Sequence, residues 1–348
     1  MSIIESATWK EDLVRAANAV PPGDVREGVY LVTGASGLIG SAFVDLLLYL
    51  RDSRGTKLSV VVAGRDVDAL VARFGQRDGV SFLAYDATRR FDFASVGADF
   101  IVHAAGNASP DLYMKDPCGT LAANIFGLVD ILECARAESA VKVLYVSSSE
   151  VYGVRMRKCP ASEEDYGKVD PLDVRSSYAE GKRAAEALCA AYSVQHGVNV
   201  SIVRPGHVYG PTATAKDHRV SSEFPRLAAM GMPIVLKSAG KQRRSYCHCL
   251  DCATAMISVI AHGKTATPYN ISNPGSIITI REMAEMLAEA GGVQISYEVP
   301  TPSEKAAFNP MDDASIEAAR LFELGWRPVF GARTGLARTV AVLKDIIA

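Results

Sequence analysis

The sequence predicts an α/β fold, a doubly wound parallel sheet with a smaller C-terminal α/β lobe. Three observations lead there. Apolar runs rich in β-branched residues recur between Gly28 and Arg204, amphipathic helical patterns separate them, and a glycine-rich turn joins the first run to the first helix. Strands that alternate with helices of this length require crossover connections, so the sheet is parallel and covered on both faces.

The strands are expected at 29–33, 58–63, 80–85, 100–103, 141–147 and 198–204, with helices at 38–50, 66–74, 117–138 and 176–196. After Pro205 the rhythm loosens into helical patterns at 222–230, 250–261, 279–290, 312–323 and 333–346, with short apolar runs at 233–236 and 268–272. In front of the first strand, residues 8–19 carry helical spacing and Pro21-Pro22-Gly23 ends it. The expected organisation is therefore a helical extension at 1–27, a dinucleotide-binding unit of Rossmann type at 28–205, and a mainly substrate-binding lobe at 206–348. Some segments of the lobe return to the sheet. Ligands of such folds bind at the carboxyl ends of the strands.

Composition narrows the function. The chain has 348 residues, 49% of them hydrophobic, with 37 Lys+Arg against 39 Asp+Glu for a net charge of −2. That balance lacks the basic footprint of a general nucleic-acid binder. Phe43–Leu50 is the apolar stretch read as nearest to a membrane span, and Asp45 interrupts it. The first ten residues lack the basic-then-apolar order of a signal peptide, so a cytoplasmic, globular protein is expected. Seven cysteines without an export signal point to reduced thiols. Cys247-His248-Cys249-Leu250-Asp251-Cys252 resembles half of a metal site, but no second pair answers it. It reads as a buried strand turning into a helix, and no metal is expected.

Thr33-Gly34-Ala35-Ser36-Gly37-Leu38-Ile39-Gly40 follows the first strand and opens a helix. Glycines at 34, 37 and 40 allow a tight turn, close approach of a pyrophosphate and close helix–sheet contact, while backbone N–H groups and the helix dipole meet its charge. The second strand ends Val62-Ala63-Gly64-Arg65, without the acid that would hold the ribose 2′-hydroxyl of NAD. Arg65 suits the extra phosphate of NADP, or lies at the surface while other contacts hold NAD. Asp86, closing the third strand, is a candidate partner for the adenine.

Tyr178 and Lys182 form Tyr-x-x-x-Lys within the helix 176–196 and project from one face, one turn apart. An ammonium beside a phenol favours the phenolate and lowers its pKa from about 10. Such a tyrosine takes a proton from a sugar hydroxyl while hydride leaves for nicotinamide. The fifth strand runs out through Ser147-Ser148-Ser149-Glu150, whose polar groups face the cleft in this fold. Ser148 is placed to hold the reacting hydroxyl, and Glu150 to act as base or to orient the substrate.

With these residues the chain resembles the extended short-chain dehydrogenases/reductases that act on nucleotide-diphosphate sugars, from about residue 29 to the end. Within them it is most similar to the UDP-glucuronate decarboxylases. The stretches that carry the likeness are His103-Ala104-Ala105, Ala108-Ser109-Pro110, Ser148-Ser149-Glu150-Val151-Tyr152-Gly153, Glu164-Asp165-Tyr166-Gly167, Arg175-Ser176-Ser177-Tyr178-Ala179-Glu180-Gly181-Lys182-Arg183, Arg244-Ser245-Tyr246 and Leu324-Gly325-Trp326-Arg327-Pro328.

The resemblance implies that Tyr178 is the base, that Lys182 supports it and binds the nicotinamide ribose, and that Ser148 is the active-site hydroxyl. Ser149 and Glu150 match the decarboxylases' Ser-Glu pair. It implies NAD bound along Gly34, Ser36, Gly37, Leu38, Ile39, Gly40, Arg65, Asp86, Ala87, Ala104, Ala105, Gly106 and Asn124, with NADP left open. A UDP-linked sugar would lie against Ser109, Glu150, His207 and Arg244. It also implies a homodimer through a four-helix bundle of 117–138 and 176–196. The charge balance and the lengths of the apolar stretches, read above, lead to an expectation of no nucleic-acid or membrane partner. The chain departs from the family's pattern in two places. The second strand lacks its acid, and His207 stands where the decarboxylases carry an asparagine.

Oxidation at C4 leads to three outcomes. A carboxylate on C5 becomes β to the new ketone and leaves as carbon dioxide. Rotation of the keto-sugar gives 4-epimerisation. A 4,6-dehydratase needs an acid where this chain has Ser149, and a serine is a poor proton donor. Decarboxylation leads, epimerisation follows and dehydration trails. A cofactor-binding regulatory protein is the non-enzyme alternative, and it predicts a degraded catalytic set.

Overall fold

The computed structural model describes residues 2–347 except 94–95, 157–158, 303–304, 306–307 and 310. Met1 and Ala348, the outer limits of the expected segments, lie outside the described residues.

The first half contains α1 (Ala7–Asn18), β1 (Gly28–Thr33), α2 (Leu38–Arg54), β2 (Leu58–Gly64), α3 (Val67–Phe74), β3 (Val80–Ala84), β4 (Phe100–His103), α4 (Pro110–Lys115), α5 (Pro117–Ala137) and β5 (Lys142–Val146). The second half contains α6 (Ser177–His196), β6 (Val200–Pro205), β7 (His207–Tyr209), α7 (Val220–Ala229), β8 (Ile234–Leu236), β9 (Arg243–His248) and α8 (Cys249–His262). Then come β10 (Pro268–Ile271), β11 (Ile277–Thr279), α9 (Ile280–Gly291), β12 (Ile295–Tyr297), β13 (Asp313–Ala314), α10 (Ala319–Glu323) and α11 (Ala332–Ile347).

The main sheet has seven parallel strands in the order β10-β6-β5-β4-β1-β2-β3. Strand order reverses beside β1, so the chain leaves the sheet in opposite directions at one end and opens a crevice there. One face is covered by α2 and α8, whose Phe43, Leu46, Leu47, Met256 and Val259 are buried with Trp9 of α1. The other is covered by α5 and α6, through Leu128, Ile131, Ala185 and Cys189. A third core joins α7, α9, α11 and β8 in the lobe.

Local chemistry explains the element ends. α2 starts after Gly37 and stops at Gly55, which adopts the left-handed conformation. α9 begins with a capping box of Thr279 and Glu282 and stops at left-handed Gly292. The turn before α2 needs glycine for reasons of space. A Cβ on Gly34 would lie 2.6 Å from the Ala104 carbonyl, and one on Gly40 would lie 2.3 Å from the Gly34 oxygen.

Several expectations need correction. The helical pattern at 312–323 is a helix only at Ala319–Glu323, because Asp313–Ala314 is an extended strand paired with Arg243–Arg244 and Ile316 bridges to Ala161. The evenly spaced apolar residues of that stretch are buried by these pairings. Strand β9 is anticipated only at its end, in the Cys247–Cys252 run; its first half is missed because it opens with two arginines. Phe43–Leu50 is not the stretch nearest to a membrane span; the 21-residue α5 is longer and apolar enough by composition, and just over half of its apolar window is buried against the sheet and α6. The Cys247–Cys252 run is a buried strand passing into a buried helix, and all seven cysteines are free.

The N-terminal helix is anchored rather than appended. Trp9 is fully buried and its indole N–H donates to Asp45 of α2 at 3.1 Å. Arg338 of α11 pairs with Asp12, and Arg54 of α2 donates to the Val20 carbonyl at 2.8 Å. Helix α1 thus ties the first sheet helix to the last helix of the chain. Trp9→Ala should lower unfolding stability by about 3–5 kcal/mol, read from the denaturant midpoint at unchanged slope. A loss below about 1 kcal/mol would show that α1 is peripheral.

Candidate active site

The site lies at the carboxyl ends of β4, β5 and β6. The last two residues of β5 lead into Ser147, Ser148 and a 3-10 turn, Ser149–Tyr152. The Ser148 side chain accepts a hydrogen bond from the Glu150 N–H at 3.2 Å, which caps that turn. Helix α6 passes over it with Tyr178 and Lys182 facing inward, both buried.

What holds α6 in place is largely electrostatic. Arg204, at the end of β6 and 2% exposed, forks onto both oxygens of Glu186, one turn beyond Lys182, at 2.9 and 2.6 Å. Ser147 donates to the same carboxylate at 2.5 Å. Arg204 also donates to the Tyr152 hydroxyl at 3.0 Å, and Tyr152 donates to Asn270 of β10 at 2.5 Å. One guanidinium therefore connects two sheet strands, the 3-10 turn and the helix bearing the Tyr-Lys pair.

The structure brings Ser148, Tyr178 and Lys182 together. Ser148 is near enough to the Tyr178 phenol to pull its pKa downward. The Lys182 ammonium donates to the Val146 carbonyl at 2.8 Å and lies 5.9 Å from the centre of the Tyr178 ring. Burial lowers Lys182 to about 8, with the charge of Glu186 opposing. The expectation of a lowered Tyr178 pKa does not hold in this state. Burial pushes the phenol above its usual value, Ser148 and the charge of Arg219 pull it back, and Glu150 adds to the rise. Desolvation outweighs these pulls, with the phenol buried and the Lys182 ammonium donating to the Val146 carbonyl.

Glu150 is close by, with Arg175 Nη1 donating to Oε2 at 3.3 Å and Asn309 Nδ2 to Oε1 at 2.8 Å. Ser149 is buried in the turn, and Ser109 is buried at the head of α4. His207, on β7, is paired in register with Tyr246 of β9, the rings 5.9 Å apart. Its Nδ1 is buried and meets no hydrogen-bond partner among the described residues, and burial with the charges of Arg244 and Arg219 lowers it to about 3, so the imidazole is neutral. Arg244 is buried, donates to the Arg243 carbonyl at 2.8 Å, and has no carboxylate partner among the described residues.

Along the glycine turn, Gly34, Gly37 and Gly40 pack as described, Leu38 is buried, Ile39 is partly buried and Ser36 is exposed. Ala104, Ala105 and Gly106 follow β4. A Cβ on Gly106 would sit 3.8 Å from the Asn124 oxygen and 3.9 Å from the Lys182 nitrogen, so these three residues line one cradle. Asn124 is fixed by donation to the Thr120 carbonyl at 2.8 Å. Arg65 follows the end of β2 and Asp86 lies just beyond the end of β3. Asp86 is partly desolvated, yet hydrogen bonds from Thr88 and the charges of Arg65 and Arg89 hold it below the usual carboxylate range. Ala87 packs its methyl group toward Gly127 of α5.

Sequence reasoning missed Tyr113, Arg175, Arg219 and Asn309. Tyr113 stacks on Tyr178 at 5.4 Å and 13°. Arg219 forks onto Asp217 and exerts its charge on Tyr178. Arg175 precedes Tyr178 by three residues, the only one of the four whose spacing offered a signal.

The sequence model of the NAD dependent epimerase/dehydratase family matches residues 30–272, more than two thirds of the chain. The chain belongs to that family. Its curated relatives include UDP-glucuronic acid decarboxylase 6 of Arabidopsis thaliana, 34% identical over 312 residues, covering 88% of this chain and 86% of that one. UDP-glucuronic acid decarboxylase 1 of Xenopus tropicalis is 31% identical over 315 residues, covering 89% and 70%. Among solved structures, UDP-glucose 4-epimerase of Thermus thermophilus with NAD superposes with a TM-score of 0.76 at 24% identity, covering 91% and 99%. UDP-glucuronic acid 4-epimerase of Bacillus cereus superposes at 0.74 and 20% identity, covering 92% and 99%. These two establish the family's fold for this chain, and α1 precedes the matched region.

Lys182→Met should lower sugar oxidation by at least about 100-fold while leaving the thermal midpoint near that of the parent, since a buried charge is removed. In the parent, kcat/KM should fall as pH rises through about 8, where the ammonium is lost. A profile flat to the alkaline end would remove Lys182 from the rate-determining protonation state.

Proposed function

We propose that the protein is an NAD-dependent nucleotide-sugar decarboxylase that oxidises UDP-glucuronate at C4, releases carbon dioxide and yields UDP-xylose or the 4-keto-pentose. The observation that supports it most is the buried junction of Ser148, Tyr178 and Lys182 beside Glu150, in a chain whose curated relatives are named UDP-glucuronic acid decarboxylases.

The residues fit a dinucleotide. The turn at Gly34, Ser36, Gly37, Leu38, Ile39 and Gly40 presents backbone N–H groups at the start of α2, where a diphosphate is favoured. Arg65, Asp86 and Ala87 would meet the adenosine end, and Ala104, Ala105, Gly106, Asn124 and Lys182 the nicotinamide end. Bound NAD supplies the acceptor for the hydride from C4 and its later return.

The chain's own groups then have distinct tasks. Tyr178 takes the C4 hydroxyl proton, Ser148 holds that oxygen, and Lys182 keeps positive charge near the phenolate and the ribose. The C5–C6 bond breaks with its electron pair moving toward C5, the C4 oxygen accepts charge, C6 leaves as neutral carbon dioxide, and a proton from water then adds at C5 to give the 4-keto-pentose. Where hydride returns to C4, Tyr178 gives its proton back to the C4 oxygen. Arg244, with no carboxylate partner among the described residues, suits the diphosphate. Ser109 and neutral His207 suit sugar or diphosphate oxygens, and Glu150 acts next to C5. The sheet-forming part of 28–205 would hold the cofactor and the segments after 206 mainly the UDP-sugar.

Incubated with UDP-glucuronate and NAD, the purified protein should give a UDP-pentose or its ketone with loss of carbon dioxide, detected by mass spectrometry. Tyr178→Phe should abolish the change. An unchanged mass with C4 inverted by NMR would replace decarboxylation by epimerisation, and full activity in Tyr178→Phe would remove Tyr178 as the base.

The proposal includes a homodimer through α5 and α6. Their outer surface is apolar, with Phe126 47% exposed and Val194 89% exposed, and such surface favours association. Phe126→Glu should shift the protein to monomers in sedimentation or light scattering. A parent that is monomeric throughout would end this part of the proposal.

A further inference from the structure

Three arginines surround Tyr178 and Glu150, and they differ in what they already hold. Arg219 is committed, since its Nε donates to Asp217 Oδ1 at 2.9 Å and its Nη2 to Oδ2 at 2.6 Å, filling its bidentate edge. Arg244 has no carboxylate partner among the described residues and is suited to the diphosphate, as above. Arg175 is engaged only in part. It reaches Glu150 through Nη1 at 3.3 Å, longer than a close charge-assisted bond. Its Nε–H is buried and meets no acceptor among the described residues.

Placement adds to this. The Arg175 guanidinium lies 5.8 Å from the centre of the Tyr113 ring, and Tyr113 stacks on Tyr178. The arginine is therefore one aromatic ring away from the phenol that faces C4. Its side chain is only 12% exposed, so a carboxylate reaching it would be largely withdrawn from water. Glu150, with Asn309 on its other oxygen, stays fixed when the Arg175 contact is exchanged. A planar fork with one vacant edge, backed by a ring and set beside a carboxylate, is built to take a second carboxylate in the plane of the first.

We propose that Arg175 selects hexuronates, its Nε edge receiving the C6 carboxylate of the sugar. The inference rests on the nucleotide-hexuronate reading above and names the residue that enforces it. The bound carboxylate lies between Arg175, which holds it, and Glu150, whose like charge it must approach. Loss of neutral carbon dioxide relieves that crowding and returns Arg175 to Glu150. A hexose, carrying a neutral C6 hydroxyl, leaves the buried Nε–H without a charged partner and is bound less tightly.

The test is equilibrium binding of UDP-glucuronate, UDP-glucose and UDP to the NAD-loaded protein. It uses the Tyr178→Phe background, which blocks turnover, with Arg175→Met and Arg175→Lys added. Arg175→Met should weaken UDP-glucuronate by about 10- to 100-fold and leave UDP and UDP-glucose nearly unchanged. Arg175→Lys, which keeps the charge but not the fork, should recover only part of the loss. Equal weakening of all three ligands would assign Arg175 a structural role and overturn the proposal, as would an unchanged UDP-glucuronate affinity. If Arg175→Met does not fold, Arg175→Lys decides the matter by the same comparison. Carbon dioxide release by the parent separates the two levels. Release with unaltered binding in the variants refutes the arginine's role alone. No release, together with no preference for UDP-glucuronate over UDP-glucose, refutes the substrate reading and this inference with it.

Discussion

The bidentate pair between Arg204 and Glu186 is the contact on which the site depends. Glu186 sits one turn past Lys182, so its grip on the end of β6 sets the rotation of α6 and turns Tyr178 and Lys182 inward. Such a pair is expensive to desolvate, and it repays that cost only when its remaining donors and acceptors are used. Here they are, by Ser147, Tyr152 and the Glu163 carbonyl. The result is less a stabilising bond than a fixed geometry, with helix, turn and two strands referred to one guanidinium.

Burial then decides the chemistry. The same dryness that lowers Lys182 to about 8 raises the Tyr178 phenol, so two groups that ordinarily titrate close together are pushed apart, each toward its uncharged form. A small addition of positive charge near the phenol has a large effect under these conditions, because little solvent screens it. The low pKa of His207 follows from the same dryness together with two neighbouring arginines, and keeps that ring a neutral hydrogen-bonding group.

The sheet was legible in the sequence because its strands are buried on both faces and read as continuous β-branched runs, from 29–33 to 198–204. The site was legible where chemistry is local, as in the glycine turn, Tyr178 with Lys182, and Ser148 to Glu150. It was not legible where partners meet across the fold. Asn309 reaches Glu150 from a residue 159 positions away, and nothing around it marks that contact. Arg219 carries no spacing signal, and Tyr113 looks like any helix aromatic until it stacks on Tyr178. The pKa of Tyr178 was misjudged because neighbouring charge can be guessed from spacing, whereas the depth of burial depends on everything packed above.

The position of β10 has a bearing on how such a chain can be cut or rebuilt. Residues 268–271 form the outermost strand beside β6, although β7, α7, β8 and β9 lie between them in the chain. A fragment ending near residue 205 would expose the backbone donors and acceptors along β6, an open ribbon prone to pair with other chains. The two parts are thus interleaved rather than joined in series. Recombination that exchanges the segments of the smaller lobe would have to splice within 206–267 and again after 271, leaving that strand in place.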